Sequence, residues 1–264
     1  MTLLRKYPRT RHILNSGLQP DDGDLTAAGF EEIAGRHLVV EEKIDGANAA
    51  LSFDADGRLL LQSRGHYLTG GPRERHFALF KGWANGIRDQ LWPVLGRRFV
   101  VYGEWTYAKH TIFYDALPHY FLEFDVLDRE TDRFLSTPAR RNLLAGLPIV
   151  SVPVLREGSV GSAGELTALI ASSAYKSPAW RRHLAEAAGV PPNRPDLVMR
   201  QTDPSDLMEG LYIKVEDDGV VAQRFKYVRP DFLATVLDSE SHWQSRPILP
   251  NRLAGDGPDP AVAP

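Results

Sequence analysis

The first residues with chemical promise form one short stretch, Glu42-Lys43-Ile44-Asp45-Gly46-Ala47-Asn48, a lysine with acidic neighbours on both sides. A lysine amine is a nucleophile once it has lost its proton, and its ordinary pKa of about 10.4 must fall for that form to be populated. Read alone, the stretch also fits a surface turn. Lysine is used sparingly here: of 31 basic residues only seven are lysine, namely Lys6, Lys43, Lys81, Lys109, Lys176, Lys214 and Lys226. A chain that uses arginine wherever charge suffices keeps lysine where a neutral amine or a compact point charge is wanted. That economy singles out Lys43, Lys214 and Lys226.

The elements around these residues follow from periodicity. Apolar residues 37–40 predict a buried strand before Lys43, and residues 49–53 another after Asn48, pairing with residues 58–62 across Asp54-Ala55-Asp56-Gly57. Ser63-Arg64-Gly65 ends that hairpin. Phe80, Trp83, Ile87 and Leu91 recur at helical spacing and predict one amphipathic helix whose aromatics belong to the core. Residues 98–105 and 119–127 read as two central strands, ending in Gly103-Glu104-Trp105 and containing Glu123-Phe124-Asp125. A strand is expected over 148–155, helices around 166–170 and from Ser177-Pro178 to Gly189, and a loop over 191–206. A second hairpin joins 209–215 to 220–227 across Asp217-Asp218-Gly219, followed by a helix over 232–237. The Pro-, Gly- and Ala-rich end, 246–264, reads as a disordered tail, leaving 1–245 as one domain.

Composition sets the frame. At 264 residues, 43% hydrophobic and 25% charged, the chain can bury a proper core. It has no run of about eighteen apolar residues and no basic-then-apolar leader, so neither membrane insertion nor secretion is supported and a cytoplasmic protein is expected. The absence of cysteine excludes disulfides and thiolate metal sites. No two of the eight histidines are spaced as ligands on one helix or strand, which argues against a histidine-bound metal hydrolase. A net charge of −3 means that any polynucleotide contact must come from a local patch. The cluster Arg5, Lys6, Arg9 and Arg11, ahead of the acidic turn-rich residues 19–24, fits either a phosphate path or a solvated face.

Six elements now stand in a fixed order: Lys43-Ile44-Asp45-Gly46, Ser63-Arg64, Gly103-Glu104, Phe124-Asp125, Glu209-Gly210-Leu211-Tyr212-Ile213-Lys214, and Arg224-Phe225-Lys226. The order resembles the covalent nucleotidyltransferases, which comprise ATP-dependent DNA ligases, RNA ligases and messenger-RNA capping enzymes. Within that superfamily Glu42-Lys43, Tyr102-Gly103-Glu104-Trp105 and Phe121-Leu122-Glu123-Phe124-Asp125-Val126 are most similar to the RNA ligase domain typified by the second phage RNA ligase. The resemblance covers about residues 36–229. It implies an α+β, ATP-grasp-like domain of two antiparallel β-sheets with flanking helices and a nucleotide cleft between them.

The resemblance also implies a chemistry. Lys43 attacks the α-phosphorus of ATP, expels pyrophosphate and forms a lysyl-AMP adduct; AMP passes to the 5′-phosphate of an RNA end, and a 3′-hydroxyl displaces it to seal the strand. A divalent metal ion, Mg2+ or Mn2+, with Lys214 and Lys226 is expected to lower the pKa of the amine and to neutralise charge on the phosphoryl oxygens. By match to the family, Glu104 holds the ribose hydroxyls, Arg64 a ribose or phosphate group, and Phe124 stacks on adenine. Glu209 faces Lys43 and the metal, with Glu104 as a second metal-side carboxylate. Glu42 meets adenine through its backbone, and Asp45, Gly46 and Asn48 complete the nucleotide-binding set. Each has a plainer reading: Phe124 as core, the glutamates as partners of arginine, Arg64 as a surface ion pair. Lys109 and His110, in the loop between two motif strands, fit phosphate or RNA-end contacts and an ordinary exposed loop equally.

The chain departs from the pattern twice. Arg224 stands where the last motif usually has the first of two lysines, which leaves its contact with the α-phosphate open. Fewer than forty residues follow Lys226, too few for the oligonucleotide-binding barrel of DNA ligases and capping enzymes. RNA is then expected to be held by the domain's own surface, with Arg73, Arg75, Arg181 and Arg182 as phosphate contacts, or by a partner such as an end-healing kinase or phosphatase. Alternative functions are a DNA ligase, a capping-type nucleotidyltransferase, or a catalytically idle nucleotide-binding subunit of an end-repair complex.

Overall fold

A computed structural model describes residues 4–13, 16–17, 27–238 and 246–255. In chain order the elements are β1 (Arg11–His12), β2 (Leu38–Lys43), β3 (Ala47–Phe53), β4 (Leu59–Ser63), α1 (Ala78–Gly86), α2 (Arg88–Leu95), β5 (Phe99–Trp105), β6 (Phe121–Asp128), β7 (Arg133–Phe134) and α3 (Thr137–Leu144). They continue with β8 (Val150–Ser151), β9 (Val154–Gly158), α4 (Ala163–Thr167), α5 (Trp180–Ala188), α6 (Pro195–Arg200), β10 (Gly210–Asp217), β11 (Val220–Val228) and α7 (Pro230–Asp238).

The fold is α+β, built on two sheets. One has the order β1-β11-β10-β2-β9; the other has the order β4-β3-β5-β6-β7, with β8 on β6. Pairing is antiparallel except for β1 with β11 and β6 with β8, which are parallel. The first sheet carries Lys43 and the second hairpin, and the second sheet carries the Glu104 and Phe124 elements. The two sheets therefore bring together motifs that are far apart in the sequence.

Helices α1 and α2 cover the β3-β5-β6 sheet. Phe80 lies 5.2 Å from Trp105 and 5.5 Å from Phe121 between ring centroids, in a continuous apolar cluster with Trp83, Ile87 and Leu91. Each fully buried side chain of this size contributes about 2–3 kcal/mol, which fixes the outer face of the sheet. The expected single helix is broken at Ile87, where φ −103° and ψ 5° end α1 and start α2. Residues 148–155 do not form one strand. β8 pairs with β6 and β9 with β2, so the chain changes sheets between Ser151 and Val154. The expected loop over 191–206 holds α6, which Pro195 opens at a position where no amide hydrogen bond is needed.

The chain end also differs from its composition. Residues 246–255 pack against the domain: Leu249 and Asn251 are buried, and Leu249 joins Phe113, Trp180 and Leu184. Residues 256–264 and the acidic stretch 19–24 lie outside the described residues. Among the described residues no helix is long and apolar enough to cross a membrane.

A buried ionic network ties the two sheets together. Arg140 of α3 is paired with Glu41 of β2 and, at 2.5 Å, with Glu123 of β6. Lys214 of β10 lies 3.0 Å from both Glu41 and Asp125, and donates to the carbonyl of Phe124. Arg224 of β11 lies 3.6 Å from Asp125, its guanidinium 3.8 Å from the Phe134 ring centroid. The Tyr7 hydroxyl is hydrogen-bonded to Asp125 and Tyr212. Three acids meet three bases, so no net charge is left buried, and the pairs set the register of one sheet against the other.

Candidate active site

Lys43 ends β2 directly opposite Gly210, the first residue of β10. That register places Glu209, one residue earlier, beside it: Nζ lies 2.7 Å from Glu209 Oε1. Gly210 is required by crowding, since a Cβ there would sit 1.9 Å from the carbonyl oxygen of Tyr227 on β11. After Lys43 the chain turns into β3, and Gly46 passes so close to β5 that a Cβ would lie 2.8 Å from the Trp105 carbonyl oxygen and 2.9 Å from Glu104 Cγ. Asn48 then pairs with Glu104. Gly46, expected in the nucleotide-binding set, thus has a packing reason as well: it lets the lysine turn close onto the Glu104 strand.

Asp45 is held from the other side. Its Oδ2 accepts from the amides of Thr111 (2.7 Å) and Ile112 (2.6 Å), and its own amide donates to the Tyr114 hydroxyl at 2.9 Å. Glu42 points away from Lys43, as alternation along a strand requires; Ser173 Oγ donates to it at 2.5 Å and the Ala174 amide at 3.2 Å. Ser173 and Tyr114 carry no motif signal in the sequence.

Glu42, Lys43, Asp45, Gly46, Asn48, Glu104 and Glu209 line a cavity of about 1020 Å³ open between the two sheets. From one sheet come Glu42, Lys43, Glu209, Tyr212 and Lys226; from the other come Asn48, Arg64, Glu104 and Phe124, with Asp45 and Gly46 in the turn between them. The N-terminal cluster divides: Lys6 and Arg9 line the cavity, whereas Arg11 is paired with Glu32 at 2.7 Å and Arg5 with Asp132 at 3.2 Å.

Two of the expected site residues stand elsewhere. Lys214 and Arg224 are absent from the cavity wall and belong to the ionic network described above. Lys214 faces Val39 in the register, four residues along β10 from Gly210, and its side chain is fully buried. Lys109 is buried too, donating to the carbonyls of His110 (3.2 Å) and Gln201 (2.7 Å), whereas His110 lines the cavity. Of the arginines expected to hold RNA, Arg181 stacks on Trp180 and pairs with Asp206 at 2.8 Å. Arg75 donates to the Arg246 carbonyl, Arg182 is exposed on α5, and the side chain of Arg73 lies outside the described ones.

With neither metal nor nucleotide bound, carboxylates dominate the electrostatics of the lysine. Burial pulls the Lys43 pKa down, but the carboxylates of Glu209, Glu104 and Asp45 outweigh it and the net shift is upward. Of the cations expected to oppose the lysine, Lys214 is paired with Glu41 and Asp125, whereas Lys226 lines the cavity. The carboxyls are crowded in turn. Burial, then Glu209 and Asp45, push Glu104 up to about 8 against the pull of Lys43. Burial pushes Glu209 up to about 7, and Lys43 and Lys226 limit the rise. Asp45 is also raised by burial, against its two amide donors and Lys43.

Two buried oxygens at the site, Asn48 Oδ1 and Glu209 Oε2, have no hydrogen-bond partner among the described residues. Unsatisfied acceptors beside three carboxyls suit a cationic guest or the hydroxyls of a sugar. No preassembled group of three or more metal-ligating side chains occurs among the described residues.

This site sits on a fold with known counterparts, and a family model for RNA ligase matches residues 36–228. The chain belongs to the RNA ligase family. Among solved structures, a mutant of the Naegleria gruberi RNA ligase with ATP and Mn is similar at 16% identity, covering 88% of this chain and 58% of that one, TM-score 0.53. Another mutant of that protein, with AMP and Mn, is 17% identical over 89% of this chain and 59% of that one, TM-score 0.53. An archaeal ATP-dependent RNA ligase is 18% identical over 89% of this chain and 56% of that one, TM-score 0.50. The chain thus spans somewhat more than half the length of these proteins. No match was found among curated proteins.

Proposed function

We propose that this chain is an ATP-dependent RNA ligase that carries AMP on Lys43. The observation that supports this most is the Lys43–Glu209 pair at 2.7 Å, with Glu104 and Asp45 close enough to shift both groups, in a cavity lined by both sheets. Lys43 rests as an ammonium, and Glu209, with a pKa near neutrality, is its proton acceptor. Once the proton has moved, Nζ attacks the α-phosphorus of ATP. The N–P bond forms, the bond from the α-phosphorus to the bridging oxygen breaks, and pyrophosphate leaves; a second proton leaves the nitrogen as the adduct becomes neutral there. Holding the resting lysine protonated keeps it unreactive until a nucleotide arrives.

Glu104 and Asn48 face each other across β3 and β5 and are placed to accept and orient the ribose hydroxyls. Phe124, half-buried and set edge-on to Tyr7, offers a ring for adenine. Arg64 and Lys226 supply charge for phosphate oxygens. A divalent cation, Mg2+ or Mn2+, fits Glu209 and Glu104, two buried carboxyls with raised pKa values, of which Glu209 has an unpartnered Oε2; when bound it would supply charge that lowers the lysine pKa and steadies the phosphates. Transfer of AMP to a 5′-phosphate RNA end and sealing by a 3′-hydroxyl complete the reading.

Incubation with α-labelled ATP and magnesium yields a covalent AMP adduct on the wild-type protein and none on Lys43→Ala. An undiminished adduct in that variant removes the nucleophile from Lys43. Sealing of nicked RNA in preference to nicked DNA distinguishes an RNA ligase from the DNA ligase and capping alternatives.

A further inference from the structure

Residues 246–255 lie beyond the family match, yet they form a strap bonded to the loop that carries His110, Thr111 and Ile112. The Lys109 amide donates to the Leu249 carbonyl (2.8 Å), Asn251 to Tyr107 (2.8 Å) and Arg252 to Tyr114 (2.9 Å); the Leu117 amide donates back to Arg252 (3.1 Å). The Asn251 side chain is buried and used at both ends: Oδ1 accepts from the Tyr114 amide at 2.9 Å and Nδ2 donates to the Thr106 carbonyl at 2.6 Å. This anchorage sets Arg246, at the start of the strap, on the cavity wall, where its Nη1 donates to the His110 carbonyl at 3.0 Å.

The cavity is ordered along β2. Tyr212 faces Glu41, and the Phe124 carbonyl is held by Lys214 at the level of Val39, so the aromatic end lies upstream of Lys43. Downstream come Asp45, the amides of Thr111 and Ile112 that bind it, and the His110 carbonyl with Arg246. A nucleotide with its base at Phe124 and its α-phosphorus at Lys43 therefore directs its outer phosphates toward Arg246.

We propose that the strap delivers Arg246 to bind the β- and γ-phosphates of the nucleoside triphosphate. This rests on the reading of Lys43 as the site of AMP transfer. A guanidinium presents a planar fork that matches two phosphate oxygens. As the N–P bond forms and the bridging oxygen departs with the pyrophosphate, negative charge grows on the leaving group at the end where Arg246 stands.

The test uses the full chain. In a Lys43→Ala background, adding Arg246→Ala weakens ATP binding about 10- to 100-fold, the range for a charged hydrogen bond, and changes AMP binding less than about two-fold. In the adenylylated enzyme with Lys43 intact, Arg246→Ala raises by a similar factor the pyrophosphate concentration that discharges the label. Arg246→Lys, which keeps the charge and loses the fork, falls between. Equal loss of ATP and AMP affinity makes Arg246 a wall of the cavity only and overturns the proposal, as does unchanged ATP affinity. A wild-type protein that forms no adduct refutes the ligase reading and this proposal with it, whereas a normal adduct with unaltered pyrophosphate dependence in Arg246→Ala refutes this proposal alone.

Discussion

Lys43 and Gly210 face each other at the end of the β2–β10 ladder, and this pairing brings the carboxylate of Glu209 to 2.7 Å from the lysine nitrogen. The ion pair holds the proton on the amine. In the proposed reaction, attack on phosphorus requires the opposite state, so whatever removes that proton would set when the site becomes reactive.

Glu209→Gln removes the carboxylate that raises the Lys43 pKa most. The expected result is a several-fold faster modification of Lys43 by a small acylating reagent at pH 8, read by peptide mass spectrometry, together with at least a ten-fold slower AMP adduct. Unchanged or slower acylation shows that Glu209 does not hold the proton.

Glu104 ties stability to pH. Its pKa is raised by burial, then by Glu209 and Asp45, to about 8 in the folded chain, above the ordinary carboxyl value of about 4.3. The folded state thus binds more protons between these values, and stability falls as pH rises through that window. Glu104→Gln should raise Tm by a few degrees at pH 8–9 and leave it unchanged below about pH 3.5, where the carboxyl is neutral in both the folded and the unfolded chain. A variant less stable than wild type at pH 9 contradicts the crowding of carboxylates.

Lys214 serves the fold. Lys214→Met leaves Glu41 and Asp125 buried without their shared partner, which costs about 3–5 kcal/mol in denaturant unfolding. A variant that unfolds at the wild-type midpoint but forms no adduct returns Lys214 to the chemistry.

Gly210→Ala tests the register. A methyl group 1.9 Å from the Tyr227 oxygen forces β10 and β11 apart and moves Glu209 from Lys43. Loss of more than about 3 kcal/mol, the range for a severe core clash, with loss of the adduct is expected. Full adduct formation at wild-type stability contradicts the close approach.

Burial of Lys109 pulls its pKa down to about 7. Between about 7 and its ordinary value of about 10.4 the unfolded chain binds the extra proton, so this residue adds stability as pH rises, opposite in sign to Glu104. Lys109→Met flattens that rise in thermal melts; an unaltered slope shows that the ammonium is not desolvated.

Local pattern determined much of this. The strands flanking Lys43, both hairpins and the aromatic face of α1 and α2 are written in residue periodicity, because alternation and helical spacing record which face meets a core. The ordered elements from Lys43 to Lys226 likewise announced the family, since the residue types that a shared site and core require must recur in order along the strands that hold them.

Only the tertiary structure decided which charges face the cleft. A lysine on a β-strand reads the same whether it faces a nucleotide or a buried aspartate, and Lys214 meets Glu41 and Asp125 because the second sheet lies where it does. Arg140 and Tyr7, far from every motif, became partners for the same reason. The strap over 246–255 was hidden by its composition: proline, glycine and alanine suggest little intrinsic order, and order came from Asn251 and Leu249 finding donors, acceptors and apolar neighbours on a loop more than a hundred residues earlier in the chain. Long-range partners leave no local period, so sequence pointed to Lys43 while packing settled its charge.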